Sequence, residues 1–349
     1  MNLSDCSKGR NNNLNLIRFV AAILVIYSHS FPLTANGVDY LGRITNGQID
    51  FGGVAVSIFF FYGGFLICKS MCRLETAKDY FKARCIRIIP PLAVVTFFLA
   101  FVVGPFFTSY SLGEYFLNIG TYKYLLNSVF VLVHNLPGVF TENSYGATVN
   151  GPLWTLPVEF MCYIMCYVLY RLRLLKTSRM KILAILAVSL YIILYNLFGQ
   201  TSLLGAALRP VMLFFVGMFC YIYREHILIK WQYVWMALIG CVIGLWLNFF
   251  NVIIFICFTY VLLWIAFGTN KKFDAFGSKF ELSYGMYLTG WPFQQILCDL
   301  TNNQISQWWN FVIATIASIG AGVLICLLEK SYMTRLKQRK EHQEESDRR

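Results

Sequence analysis

The sequence predicts an all-α membrane protein, a polytopic bundle of about ten transmembrane helices with both termini in the cytoplasm. Composition is the first reason. Of 349 residues, 58% are hydrophobic and only 13% charged, with a mean hydropathy of +0.59, values that exclude a water-soluble globular domain. The second reason is length: about ten mostly apolar windows are each long enough to cross a hydrocarbon core. They lie near 15–33, 51–68, 88–107, 152–171, 181–198, 204–222, 232–248, 251–267, 282–299 and 309–328. The third reason is charge alternation. Segments 69–87, 171–181, 223–231, 268–281 (Lys271, Lys272, Lys279) and the tail from Lys330 are basic, whereas the intervening loops carry almost no Lys or Arg. The net charge of +12 therefore follows the positive-inside pattern and does not mark a nucleic-acid-binding surface.

The first window follows Lys8 and Arg10, lacks a clear A-x-A cleavage site and keeps polar residues inside, which argues for an uncleaved span rather than a signal peptide. It holds Arg18 and His29, eleven residues apart. At about 100° per residue the two return to within roughly 20° of one face, separated by about 16 Å along the axis. Two ionisable groups on one stripe of a lipid-embedded helix mark a site.

In the second window, Phe61-Tyr62-Gly63-Gly64-Phe65 offers a hydroxyl and close backbone approach, which suits helix packing as well as it suits a ligand. Before the third window, Lys82, Arg84 and Arg87 cluster in Tyr80-Phe81-Lys82-Ala83-Arg84-Cys85-Ile86-Arg87. Such a cluster holds phosphate or merely sets topology. The long loop 108–151 contains a short apolar run, Tyr124 to Val133, that reads as an interfacial helix or a substrate contact.

The fourth window opens with Pro152-Leu153-Trp154-Thr155-Leu156-Pro157-Val158-Glu159. Glu159 lies about 10 Å in from its start, near the expected depth of His29. A carboxylate and an imidazole at matching depth form either a site or a structural hydrogen bond. Pro157 predicts a kink in a cavity wall. The ninth window, with Tyr284-Gly285-Met286-Tyr287 and Gly290-Trp291-Pro292, reads as an interrupted helix.

Eleven cysteines without a C-x-x-C pair read as small buried hydrophobes, and four scattered histidines suggest no metal cluster. Residues 1–330 read as one transmembrane domain and 331–349 as a charged cytoplasmic tail without fixed structure.

Read together, these residues resemble the acyltransferase-three family of bacterial multi-spanning O-acyltransferases. The resemblance runs through Arg18 and His29, Gly53 to Ile67, Arg84 to Pro90, Pro152 to Glu159, and Ser283 to Leu288. It implies acetyl-coenzyme A as acyl donor, no permanently bound cofactor, and the inner membrane as location. The implied acceptor is a sugar hydroxyl of a surface glycan or its lipid-linked precursor. It also implies catalytic roles for His29, Glu159 and Arg18, donor binding by Lys82, Arg84 and Arg87, and substrate contacts from Tyr62, Trp154 and Tyr287. Gly290 and Phe160 stand where some relatives carry a histidine and a second acid, which leaves Glu159 to act alone. The absence of an appended soluble domain favours the stand-alone polysaccharide-modifying branch. The rival reading is a proton-coupled transporter with a His29/Glu159 relay.

Overall fold

The computed structural model describes residues 1–8, 12–73, 76–199, 202–269, 276–277 and 281–347. Arg10, Lys271, Lys272 and Lys279 lie outside them. Every predicted window is met by a helix, and among the described residues no strand forms beyond isolated bridges. The helices are α1 (Leu14–Leu33), α2 (Phe51–Met71), α3 (Ala77–Phe107), α4 (Gly151–Arg171), α5 (Thr177–Phe198), α6 (Leu203–Ile222), α7 (Trp231–Trp246), α8 (Phe250–Gly268), α9 (Ser283–Leu300) and α10 (Gln307–Asp347).

Eight of these are long and apolar enough to cross a membrane. The other two fall short for different reasons. Helix α7 has 16 residues, about 24 Å of rise, and α9 carries Gln294, Gln295 and Asp299 among its 18.

The chain forms two units. The first comprises residues 1–32, 36–84 and 153–278. Its tightest seam joins α2 to α6. A Cβ on Gly64 would lie 1.9 Å from the Phe214 carbonyl oxygen, and one on Gly217 would lie 2.1 Å from that of Phe61. The backbones touch reciprocally, which only glycine permits. Gly64 is therefore a packing residue. Helix α2 starts where Asp50 accepts the Gly53 amide at 2.5 Å, and α6 where Ser202 accepts that of Gly205 at 3.0 Å; both are side-chain caps. Helix α8 is interrupted by two π-turns, Ile254–Phe258 and Trp264–Gly268.

The second unit comprises residues 33–35, 85–152 and 279–349. Helices α9 and α10 form a hairpin in which a Cβ on Gly285 would lie 2.6 Å from the Gly322 Cα. The connection turns through Asn302 and Asn303, both left-handed, at φ 48° and 62°, a conformation asparagine tolerates. Loop 108–151 is pinned to α9. Trp291 Nε1 donates to the Thr148 carbonyl at 2.9 Å, and Gln295 Nε2 to those of Gly146 and Thr148 at 3.0 and 2.8 Å. Asn143 Nδ2 bonds the Gln295 carbonyl at 2.9 Å. The run Tyr124 to Val133 is a 3₁₀ turn over Tyr124–Val129, closed by left-handed Phe130 and by Asn127, which bonds Val133 in both directions.

Three expectations change. Pro157 does not kink α4. After a 3₁₀ turn, Gly151–Trp154, the α-helical part begins at Thr155, so Pro157 sits in a first turn whose amides have no partner to lose. Helix α9 runs unbroken through Pro292. The tail expected without structure continues α10 to Asp347, consistent with its run of strong helix formers, Lys, Arg, Gln and Glu.

Candidate functional site

In the first unit, polar groups gather where α1 ends and α2 begins. His29 is half-buried on the penultimate turn of α1, and its Nδ1 has no contact with solvent. Its neighbour Ser28 donates Oγ–H to Asp39 Oδ2 at 2.6 Å. Asp39, 1% exposed, also accepts the Phe51 amide at 2.8 Å and the Gly42 amide at 2.9 Å. One carboxylate thus ties the end of α1, the short helix Tyr40–Ile44 that it caps, and the start of α2.

Glu159 does not take that role. The Tyr163 hydroxyl, one turn along α4, donates to Glu159 Oε1, and among the described residues no hydrogen bond joins Glu159 to His29. Matching depth fixes height but not azimuth, and a partner at i+4 on the same helix is always within reach. Arg18 is half-buried on α1.

The basic run separates into three environments. Lys82 is exposed. Arg84 is 8% exposed, donates Nη2–H to Ser70 Oγ at 2.5 Å and lies 5.1 Å over the Tyr80 ring. Its Nε is buried without an acceptor among the described residues. The Tyr80 hydroxyl continues to the Tyr163 carbonyl at 3.1 Å, so Arg84 is seated in a built pocket of α2, α3 and α4. In the second unit, Arg87 pairs with Glu281 at 2.8 Å, both about two-fifths exposed.

The residues expected to meet substrate are placed as follows. Tyr62, 1% exposed, donates to the Leu262 carbonyl at 2.6 Å and so straps α2 to α8. Trp154 ends the 3₁₀ turn and is half-buried. Tyr287, in the second unit, donates to the Pro152 carbonyl at 3.0 Å. Of the cysteines expected buried, Cys72 is exposed at the end of α2.

Three residues of this region escaped the sequence reading: Asp39, Asp50 and Arg209. Arg209 is a charge inside an apolar window, which is itself a signal. Asp50 stands directly before the second window, where an N-cap belongs.

An all-helical bundle with ionisable side chains half-buried or buried along its apolar helices defines a multi-pass membrane protein with a polar site among its helices. A family model described as an acyltransferase domain matches residues 11–327, and the chain belongs to that acyltransferase-three family. It is 31% identical over 156 residues to an O-acetyl transferase of Shigella phage Sf6, a match covering 44% of each chain. It is 28% identical over 165 residues to nodulation protein 10 of Rhizobium leguminosarum bv. viciae, covering 45% of this chain and 44% of that one. The matched stretch thus spans less than half the length of either relative. No solved structure matches.

Proposed function

We propose that this chain is a membrane-integral O-acyltransferase that moves an acetyl group from acetyl-coenzyme A to a sugar hydroxyl of a cell-surface polysaccharide or its lipid-linked precursor. The observation that carries the reading is His29, an imidazole inside a spanning helix whose neighbour Ser28 is hydrogen-bonded to a buried carboxylate, Asp39. His29 is the general base. It removes the acceptor hydroxyl proton as that oxygen bonds the acyl carbon; the carbon–sulfur bond breaks, and the coenzyme A thiolate leaves and is protonated. Such base catalysis contributes about 10²- to 10⁴-fold. The Asp39 charge stabilises the imidazolium formed in transit, the part a carboxylate plays in other acyl-transfer sites.

Arg84 has a buried donor to spare, and a phosphate oxygen of the nucleotide is the acceptor it suits. Lys82, exposed two residues before it, adds attraction for the same anion, and Arg18 stands on the stripe leading toward His29. This arrangement matches a donor entering from the cytoplasm, with the basic loops and both termini on that side of the inner membrane. A proton relay through His29 and Glu159 finds less support, because the Glu159 hydrogen bond goes to Tyr163.

The test uses membranes containing wild-type or His29→Ala protein, with radiolabelled acetyl-coenzyme A and surface polysaccharide. The expected result is label in the glycan that depends on His29. Equal label with both proteins would discard His29 as base, and no label with wild type would discard the reaction class.

A further inference from the structure

Helix α2 opens with two adjacent glycines that face different polar groups. A Cβ on Gly52 would lie 3.1 Å from Ser28 Oγ, on the residue preceding His29, whereas one on Gly53 would lie 3.0 Å from Asp50 Oδ1 and 3.7 Å from Arg209 Nη1. Glycine here keeps a small space open, bounded by a carboxylate and a guanidinium and one residue away from the surroundings of His29.

Arg209 lies about 9 Å into α6. Its Nη2 donates to the Gln48 carbonyl at 3.0 Å and to Asn251 Oδ1. Asn251 is itself held by donating to the Tyr195 hydroxyl at 2.5 Å, and its carbonyl accepts from the Tyr191 hydroxyl at 3.3 Å. Nη1 is left turned toward Gly53. Among the described residues no carboxylate forms an ion pair with Arg209. Asp50, across the Gly53 space, spends Oδ1 on the Gly53 amide at 2.5 Å, and Oδ2 accepts nothing among the described residues.

A cation and an anion facing one space at the end of a membrane bundle, close and yet unpaired, is a costly arrangement unless something sits between them. A neutral diol matches both. One hydroxyl donates to the carboxylate, its neighbour accepts from the guanidinium, and each bond is charge-assisted. An anionic ligand would suit Arg209 but meet repulsion from Asp50.

We propose that Asp50 and Arg209 form the acceptor subsite, holding two neighbouring hydroxyls of the sugar whose further hydroxyl is presented to His29. This rests on the acyl-transfer reading above and adds to it the residues that select the acceptor.

The experiment measures transfer of label from acetyl-coenzyme A to surface polysaccharide of the source cells, de-esterified with mild alkali, and separates the KM values for the two substrates. Asp50→Asn keeps the helix cap, because asparagine caps as well as aspartate, but loses the charge. Its KM for polysaccharide is expected to rise about tenfold while that for acetyl-coenzyme A stays within twofold. Arg209→Lys is expected to do the same.

An active Asp50→Asn or Arg209→Lys protein with wild-type polysaccharide KM overturns the subsite. Wild-type membranes that transfer no label fail the acyl-transfer reading, and the subsite falls with it; active wild type beside unaffected variants fails the subsite alone.

Discussion

The Ser28 hydroxyl lies 2.6 Å from Asp39 Oδ2, so the residue beside the candidate base is locked to a buried carboxylate from the following loop. Asp39→Ala would leave three donors, Ser28 Oγ and the Gly42 and Phe51 amides, without their acceptor. Each unsatisfied buried group costs about 1–3 kcal/mol. Thermal unfolding in detergent should show a loss of several kcal/mol, and labelled transfer should fall with it. Ser28→Ala removes one donor and leaves the charge. It is expected to cost no more than about 1.5 kcal/mol and to keep most activity. Equal damage from the two variants would mean that the hydroxyl, and not the carboxylate, matters.

The α2–α6 seam predicts a sharp contrast between neighbouring glycines. Gly64→Ala puts a methyl 1.9 Å from the Phe214 carbonyl oxygen, whereas at Gly63 the nearest atoms are Phe214 ring carbons at 3.6 Å. The first must push two backbones apart, and overpacking of this kind costs about 1–3 kcal/mol or more. Gly63→Ala makes an ordinary contact. Size-exclusion profiles of fluorescently tagged protein should show Gly64→Ala and Gly217→Ala depleted from the monodisperse peak and Gly63→Ala retained.

How much of this was legible beforehand divides by physical cause. Helix placement came through, because a bilayer demands apolar windows of fixed length whatever their partners, although eight and not ten of the helices are long and apolar enough to cross. Helix starts came through less well: Pro157 reads as a kink only if α4 is taken to begin at Pro152 as a regular helix, and the 3₁₀ turn moved that start to Thr155. His29 was visible as an ionisable group in an apolar helix, but the buried carboxylate tied to its neighbour Ser28 was not. Asp39 lies in a loop, where an acidic residue draws no notice, and its burial depends on the path of that loop back to α2. Glu159 had the right depth, yet depth along two helices carries no information about their rotation. The surroundings of Arg84 and Arg87 differ in the same way, since one meets Ser70 and Tyr80 and the other Glu281, pairings that follow from the fold and not from the spacing.

Those different surroundings predict different phenotypes within the basic run. Arg84→Ala should raise the KM for acetyl-coenzyme A about tenfold or more, the scale of a lost charge-assisted bond, with little effect on acceptor KM. Arg84→Lys should rescue poorly, because an ammonium cannot hold Ser70, stack on Tyr80 and reach a phosphate at once. Lys82→Ala, at an exposed position, should change the donor KM less than about threefold and show the stronger dependence on ionic strength. Steady-state kinetics with varied acetyl-coenzyme A separates the three. Wild-type donor affinity in Arg84→Ala would leave that residue a purely structural part.

Tyr62 and Trp154 can be told apart by what their polar groups already do. The Tyr62 hydroxyl is buried and donates at 2.6 Å to the carbonyl of Leu262, two residues before the second π-turn of α8, where the helical ladder changes register. Tyr62→Phe removes the donor and with it the strap between α2 and α8, so it should cost about 1–2 kcal/mol of stability while leaving both KM values near wild type. Trp154, half-buried at the junction of the 3₁₀ turn with α4, is expected to behave in the opposite sense. Trp154→Ala should raise the acceptor KM more than it lowers the unfolding temperature, since a partly open indole face is a stacking surface for a sugar ring and fills little of the interior. Unfolding temperature and acceptor KM measured on the same preparations decide the matter. A Tyr62→Phe protein of normal stability with impaired acceptor binding would return the hydroxyl to the substrate and require the α2–α8 strap to open during turnover.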